Sequence, residues 1–112
     1  MLSDKERGAL QDMLHHVELA ERFTEGRGYD SFRNDLLRLY AITRCLEIIS
    51  EASRRLSGEL KARHPHIPWQ EMAAAGNFYR HQYEDVLPRR VWKTLQEDLP
   101  PLRSVLAQEL RS

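Results

Sequence analysis

A single cysteine, Cys45, stands in 112 residues, which excludes an intrachain disulfide and a multi-cysteine zinc site. Charge of one sign is missing too. Seventeen basic residues balance seventeen acidic ones, so no global field draws the chain onto DNA or anionic lipid. Any nucleic-acid contact has to be local, and could be built across two subunits. No run of eighteen apolar residues exists, and Met1–Asp4 shows no signal-peptide pattern. A soluble cytoplasmic protein is the expectation. There is no internal repeat, low-complexity tract or linker, so residues 1–112 are expected to form one domain. Period-two alternation is absent over any useful length, which argues against strands.

What is present reads as helix. With 41% apolar and 30% charged residues, the chain can bury a modest core. Ser3 is a suitable N-cap, and Asp4 and Glu6 place carboxylates in the first turn, where the helix dipole favours them. Leu10, Met13, Val17 and Ala20 then recur at helical spacing to about Glu25. The glycines of "EGRGYD" make a turn, and Asp30 or Ser31 begins a second helix reaching Ala62, on the order of 48 Å long. Its stripe is Phe32, Leu36, Leu39, Leu46, Leu56 and Leu60, with Ile42 and Ile49 at the edge. That stripe should lie antiparallel on the first helix. Leu37 and Ile48 fall on the opposite face and suit a further helix or a second subunit.

"RHPHIPW" ends that helix, because a residue before proline is pushed out of the α region. Pro68 fits the first turn of a third helix, Trp69 to about His81. "VLP" interrupts, Pro88 opens a fourth helix through Leu95, and "LPPL" makes a kink or restart before a last helix, Leu102 to Leu110. The expected fold is an all-α, antiparallel bundle of four or five helices.

Chemistry concentrates on the third helix. On a helical wheel with Asn77 as its origin, Arg80 lies at about −60°, His81 at about +40° and Glu84 at about −20°. Ala73 shares that side and leaves room. His exchanges a proton near neutrality, and the guanidinium fork fits phosphate oxygens. Together they match RNA cleavage by the 2′-hydroxyl, for which no metal is needed. The plainer alternative is a solvated helix face. Glu51 offers a buttressing carboxylate or a surface ion pair. His64, His66 and His81 lack the spacing of a zinc site, Trp69 and Trp92 suit the core, and Cys45 suits a small buried position. Lys5, Arg7, Arg54, Arg55 and Arg63 could line an RNA path or simply be solvated.

Three stretches, "RNDLLRLYAITRCLEIISEASRRLSGELKARHPHIPW", "GNFYRHQYEDV" and "VWKTLQEDLPPLRSVL", resemble the HepT-like toxin family of the HEPN group, over almost the full chain. The resemblance implies a helical bundle that dimerises with its motif helices meeting in a cleft. It also implies RNA as substrate (tRNA or mRNA) and a minimal nucleotidyltransferase antitoxin as partner. That partner uses ATP to transfer AMP to the motif tyrosine, so this chain itself would need no cofactor. The family motif is Arg, four to six residues, then His, any residue and Tyr. His81 and Tyr83 match it, and Asn77 matches the polar residue that follows the arginine. Ala74, Ala75 and Gly76 occupy the positions allowed to the arginine itself. Arg80, one turn after Gly76, is the replacement the wheel offers, since helical side chains lean N-terminally.

On this resemblance the chain is a metal-independent endoribonuclease toxin of a type VII-like toxin–antitoxin system. His81, Arg80 and Asn77 are its catalytic candidates, Tyr83 its adenylylation site, and Glu51 and Glu84 its supports. The rival is a catalytically inactive helical binding module that serves the nucleotidyltransferase as substrate or scaffold.

Overall fold

The computed structural model describes residues 1–81 and 86–111, with the side chains of Arg80, His81 and Val86 outside the description. Its regular elements are α1 (Asp4–Thr24), α2 (Tyr29–Arg33), α3 (Leu36–Ser53), α4 (Gly58–Ala62), α5 (Trp69–His81), α6 (Val86–Lys93), a π-helical segment (Thr94–Asp98) and α7 (Leu99–Arg111). No strand occurs among the described residues, as the missing alternation implies.

The first helix begins where its cap predicts. Ser3 Oγ accepts the Glu6 N–H at 3.0 Å, and the Glu6 carboxylate reaches back to the Ser3 N–H, closing a capping box. The turn after α1 depends on Gly26, whose φ of 75° few side-chain-bearing residues adopt.

The run expected as one helix from Ser31 to Ala62 is three. Asp35 accepts from the Arg38 N–H at 3.1 Å, and Ser57 from the Leu60 N–H at 3.1 Å, so each short polar side chain starts a helix of its own. Between α3 and α4 the backbone tightens into bonds three residues back, from Arg54, Arg55 and Leu56 to Glu51, Ala52 and Ser53. The break at Asp35 also resets the stripe. Phe32, Leu39, Leu46, Leu56 and Leu60 are buried as expected, but Leu36 is 63% exposed. Ile42 and Ile49, placed at the stripe's edge, are buried. Leu37 is exposed and Ile48 half-buried.

α3 packs most extensively on α1 and α5, and α7 packs on α1. The α1–α3 pair is antiparallel, because Arg38 near the start of α3 donates to the Phe23 carbonyl near the end of α1, while Arg55 pairs with Asp12. Leu10, Met13 and Val17 of α1 meet Ile42, Leu46 and Ile49 of α3 and Leu102 and Leu106 of α7 in one core. Each such side chain stabilises the fold by about 1.5–3 kcal/mol. Trp69 is buried, and its indole N–H is shared by the Lys61 and His64 carbonyls at 3.1 and 3.0 Å. Trp92 is half-buried against Phe32 and Tyr29. Cys45 is buried, and loss of hydration pushes its thiol pKa up. No described helix is long and apolar enough to cross a membrane.

The C-terminal third corrects two expectations. Pro88 lies inside the first turn of α6, which begins at Val86. "LPPL" does not restart the last helix at Leu102, since α7 begins at Leu99 with Pro100 and Pro101 in its first turn, where a missing N–H does no harm. The interruption lies just upstream. There the Leu99 N–H reaches five residues back to the Thr94 carbonyl, the wider ring of a π turn.

Candidate functional site

α5 spans Trp69–His81 and begins where the sequence reading placed it. It starts after Pro68, whose carbonyl accepts the Met72 N–H at 2.9 Å. Tyr79 and Gly76 are its buried residues beyond the opening Trp69, and Met72, Ala75 and Phe78 are half-buried. Asn77 is exposed. The wheel's inward face therefore holds and Asn77 points outward as expected, while Ala73, expected on the open side, is half-buried. Arg80 and His81 continue the helix, with their side chains outside the described residues. Tyr83 and Glu84 lie wholly outside them.

The seam beneath this arc is made by α3. Ser50, buried, accepts the Gly76 N–H at 3.0 Å and donates to the Ala73 carbonyl at 3.1 Å. A Cβ on Gly76 would stand 3.0 Å from Ser50 Oγ, so glycine is what lets the two helices approach this closely. Ser53, one turn from Ser50, donates to the Ser50 carbonyl at 2.7 Å. Arg54 then reaches across and donates Nε and Nη2 to the Ala73 carbonyl at 3.1 and 2.6 Å. Glu51, on the same turn of α3, is exposed.

α6 and the π segment make the other flank. The Tyr79 hydroxyl bonds Thr94 Oγ1 at 3.1 Å, and Thr94 in turn donates to the Arg90 carbonyl at 3.1 Å. Burial pushes the Tyr79 phenol pKa up, so it stays neutral. Arg90 stacks its guanidinium over Phe78, 5.1 Å from the ring centroid. Asp98, in the π segment, has its carboxyl pKa raised by burial and then by Glu97. Arg54 thus lies against Ala73 at the edge of the outward arc, whereas Arg90 lies on the other side of α5, over Phe78 and beside Tyr79 and Asp98.

The remaining cations named from sequence are differently placed. Arg55 pairs with Asp12 at 3.0 Å. Arg63 forks onto Glu109 with Nε at 3.1 Å and Nη2 at 2.8 Å, and His64 Nε2 meets the same carboxylate at 2.6 Å. Glu109 is buried, and the Arg63 hydrogen bonds, helped by His64, hold its pKa down at about 2 against the opposing effect of burial. His64 is therefore a structural residue tying the end of α4 to α7. Ser50 and Arg90 were not singled out in the sequence. Gly76 in mid-helix was the available signal of close backbone approach, but it names no partner.

The Ribonuclease HepT-like family profile matches residues 13–109. A protein of Thermococcus cleftensis named "Probable ribonuclease HepT" is 40% identical over 94 residues, 84% of this chain and 86% of that one. A "Putative RNase" of Methanocaldococcus jannaschii is 33% identical over 94 residues, 84% of this chain and 78% of its own length. Another, from Caldanaerobacter subterraneus, is 30% identical over 105 residues and 94% of each chain. No solved structure matches significantly.

Proposed function

The chain belongs to the HepT-like ribonuclease family, and from that premise we propose that it is a metal-independent endoribonuclease and the toxin of a two-component system. The observation that carries this reading is the outward arc of α5: it presents Asn77 and carries Arg80 and His81 at its described end, with Arg54 from the end of α3 at its edge.

In the proposed reaction, an imidazole of His81 removes the proton of a ribose 2′-hydroxyl. The freed oxygen attacks the adjacent phosphorus, and the bond to the 5′-oxygen breaks as that oxygen takes up a proton. Arg80 offsets the charge that builds on the phosphoryl oxygens, and Asn77 orients the strand. The products are a 2′,3′-cyclic phosphate end and a 5′-hydroxyl end. A homodimer that faces two α5 helices across a cleft would supply one imidazole as base and the other as acid. Exposed Leu36, Leu37 and Tyr40 give the monomer an apolar surface that suits burial in such an assembly.

Regulation follows the same family pattern. Tyr83 is the proposed acceptor of AMP from a nucleotidyltransferase antitoxin that uses ATP, while this chain itself requires no cofactor. Added phosphate beside His81 would repel RNA. Glu51 and Glu84 are the proposed supporting carboxylates.

One observation favours the rival. Gly76, one of the three positions allowed to the family arginine, is closed off by Ser50, and a branch that lost its arginine could persist as a binding module. A single experiment separates the two. Purified chain, free of partner, should cut single-stranded RNA to cyclic-phosphate ends, and His81→Ala should not. Equal residual cleavage by both proteins would remove the catalytic claim. For regulation, the chain co-expressed with the nucleotidyltransferase should gain AMP-sized mass on Tyr83, and an unchanged mass would refute that part.

A further inference from the structure

Arg54 binds α5 in a way that leaves its charge available. Its Nε and Nη2 both donate to the Ala73 carbonyl, a neutral acceptor, and no carboxylate among the described residues pairs with it. Arg55 and Arg63, by contrast, are matched to Asp12 and Glu109. The anchor fixes where the Arg54 cation stands. Ala73 lies about 40° from Asn77 on the α5 wheel, half-buried at the edge of the outward arc, where its small methyl leaves room for the guanidinium. Arg54 itself is exposed. The seam below it is rigidly specified, because Ser50 bonds both Gly76 and Ala73. A guanidinium immobilised by its own backbone contact has already lost much of its rotamer freedom, which lowers the entropic cost of holding an anion.

The axial offset decides what it can hold. Ala73 and His81 are eight residues apart, about 12 Å along the helix. That is too far for Arg54 and His81 to share one phosphate, and suits a neighbouring phosphate of the same strand. We infer that Arg54 of α3 is a positioning residue that holds an RNA backbone phosphate flanking the one cleaved. The inference rests on the ribonuclease reading proposed above.

The test compares two substrates, a single-stranded RNA oligonucleotide and a dinucleotide whose only phosphate is the scissile one. Arg54→Ala should raise KM for the oligonucleotide about tenfold with kcat changed less than about twofold, and leave dinucleotide cleavage unaltered. Arg54→Gln keeps a donor for the Ala73 carbonyl but no charge, so it should behave like Arg54→Ala with the melting temperature preserved. Arg54→Lys should recover part of the KM loss, and Arg55→Ala should change neither substrate. In RNA-binding titrations, losing one phosphate contact should flatten the slope of log affinity against log salt by about 0.7. Equal losses on both substrates, or none on either, would overturn the inference. If the wild-type chain cuts neither substrate, the ribonuclease reading falls alone. The binding titration then decides on Arg54, and an unchanged salt slope in Arg54→Gln overturns it.

Discussion

Two arginines in this molecule, Arg63 and Arg54, use the same side chain to opposite ends. Between α4 and α7, Arg63 and His64 converge on the buried carboxylate of Glu109, and every charge in that group has its counter-charge within the fold. Between α3 and α5, Arg54 converges on the carbonyl of Ala73, which carries no net charge. The first arrangement satisfies itself. The second fixes a cation in place and leaves its charge for something outside the chain. A residue type says little about role until the partner's charge is known. His64, half of the "HPH" pair, shows this directly, since its neighbour across the fold turns a potential ligand into a tie.

Mutations at equivalent points break or sharpen this contrast. The largest expected effect separates the two histidines. His81→Ala should lower the RNA cleavage rate by at least about a hundredfold, the usual range for a general acid–base residue, with thermal stability retained. His64→Ala should lower the melting temperature and leave kcat unchanged. A matched loss of activity in both would erase the distinction.

Next comes the seam itself. Gly76→Arg would place an arginine at a position the family motif allows, yet the Cβ alone meets Ser50 Oγ at 3.0 Å. Overpacking there should cost about 2–3 kcal/mol, seen as a fall in melting temperature of about 10 °C or more. A variant that gains activity at full stability would mean that α5 can retreat from α3.

Glu109→Gln follows, expected to cost about 2 kcal/mol through weaker bonds to Arg63 and His64. The pH dependence provides a check. Because the folded-state pKa of Glu109 is depressed from 4.5 to about 2, its contribution is complete above about 4.5 and is lost as pH falls from there through about 2. Unfolding curves of the wild type should steepen their decline across that window, and those of Glu109→Gln should be flatter. The smallest effect is expected at Leu37, which is 82% exposed. Leu37→Ser should change monomer stability by no more than about 0.5 kcal/mol, so a larger change that grows with protein concentration would place this residue in a subunit interface.

Much of the fold was legible because its signals are local. Ser3 with Glu6, the prolines around His66, and the apolar spacing of α1 each act within one or two turns, and the structure follows them. The splitting of the long helix was not legible. Asp35 and Ser57 are residues that also occur within helices, and the apolar period does not say that they cap. The displaced break at Thr94–Asp98 is similar, since prolines advertise a disturbance but not which carbonyl ring absorbs it. In the candidate site, the outward position of Asn77 could be read from periodicity. Its neighbours could not. Ser50 lies 26 residues from Gly76, and Arg54 lies 19 from Ala73.

The sequence by itself determined the helical class, where α5 begins and the outward arc that carries Asn77, because turn chemistry and a 3.6-residue period operate at short range. Only the tertiary structure decided which arginines are neutralised and which stand charged beside that arc. Charge pairing depends on distances between helices, and those are set by how closely a glycine and a serine let α3 and α5 approach.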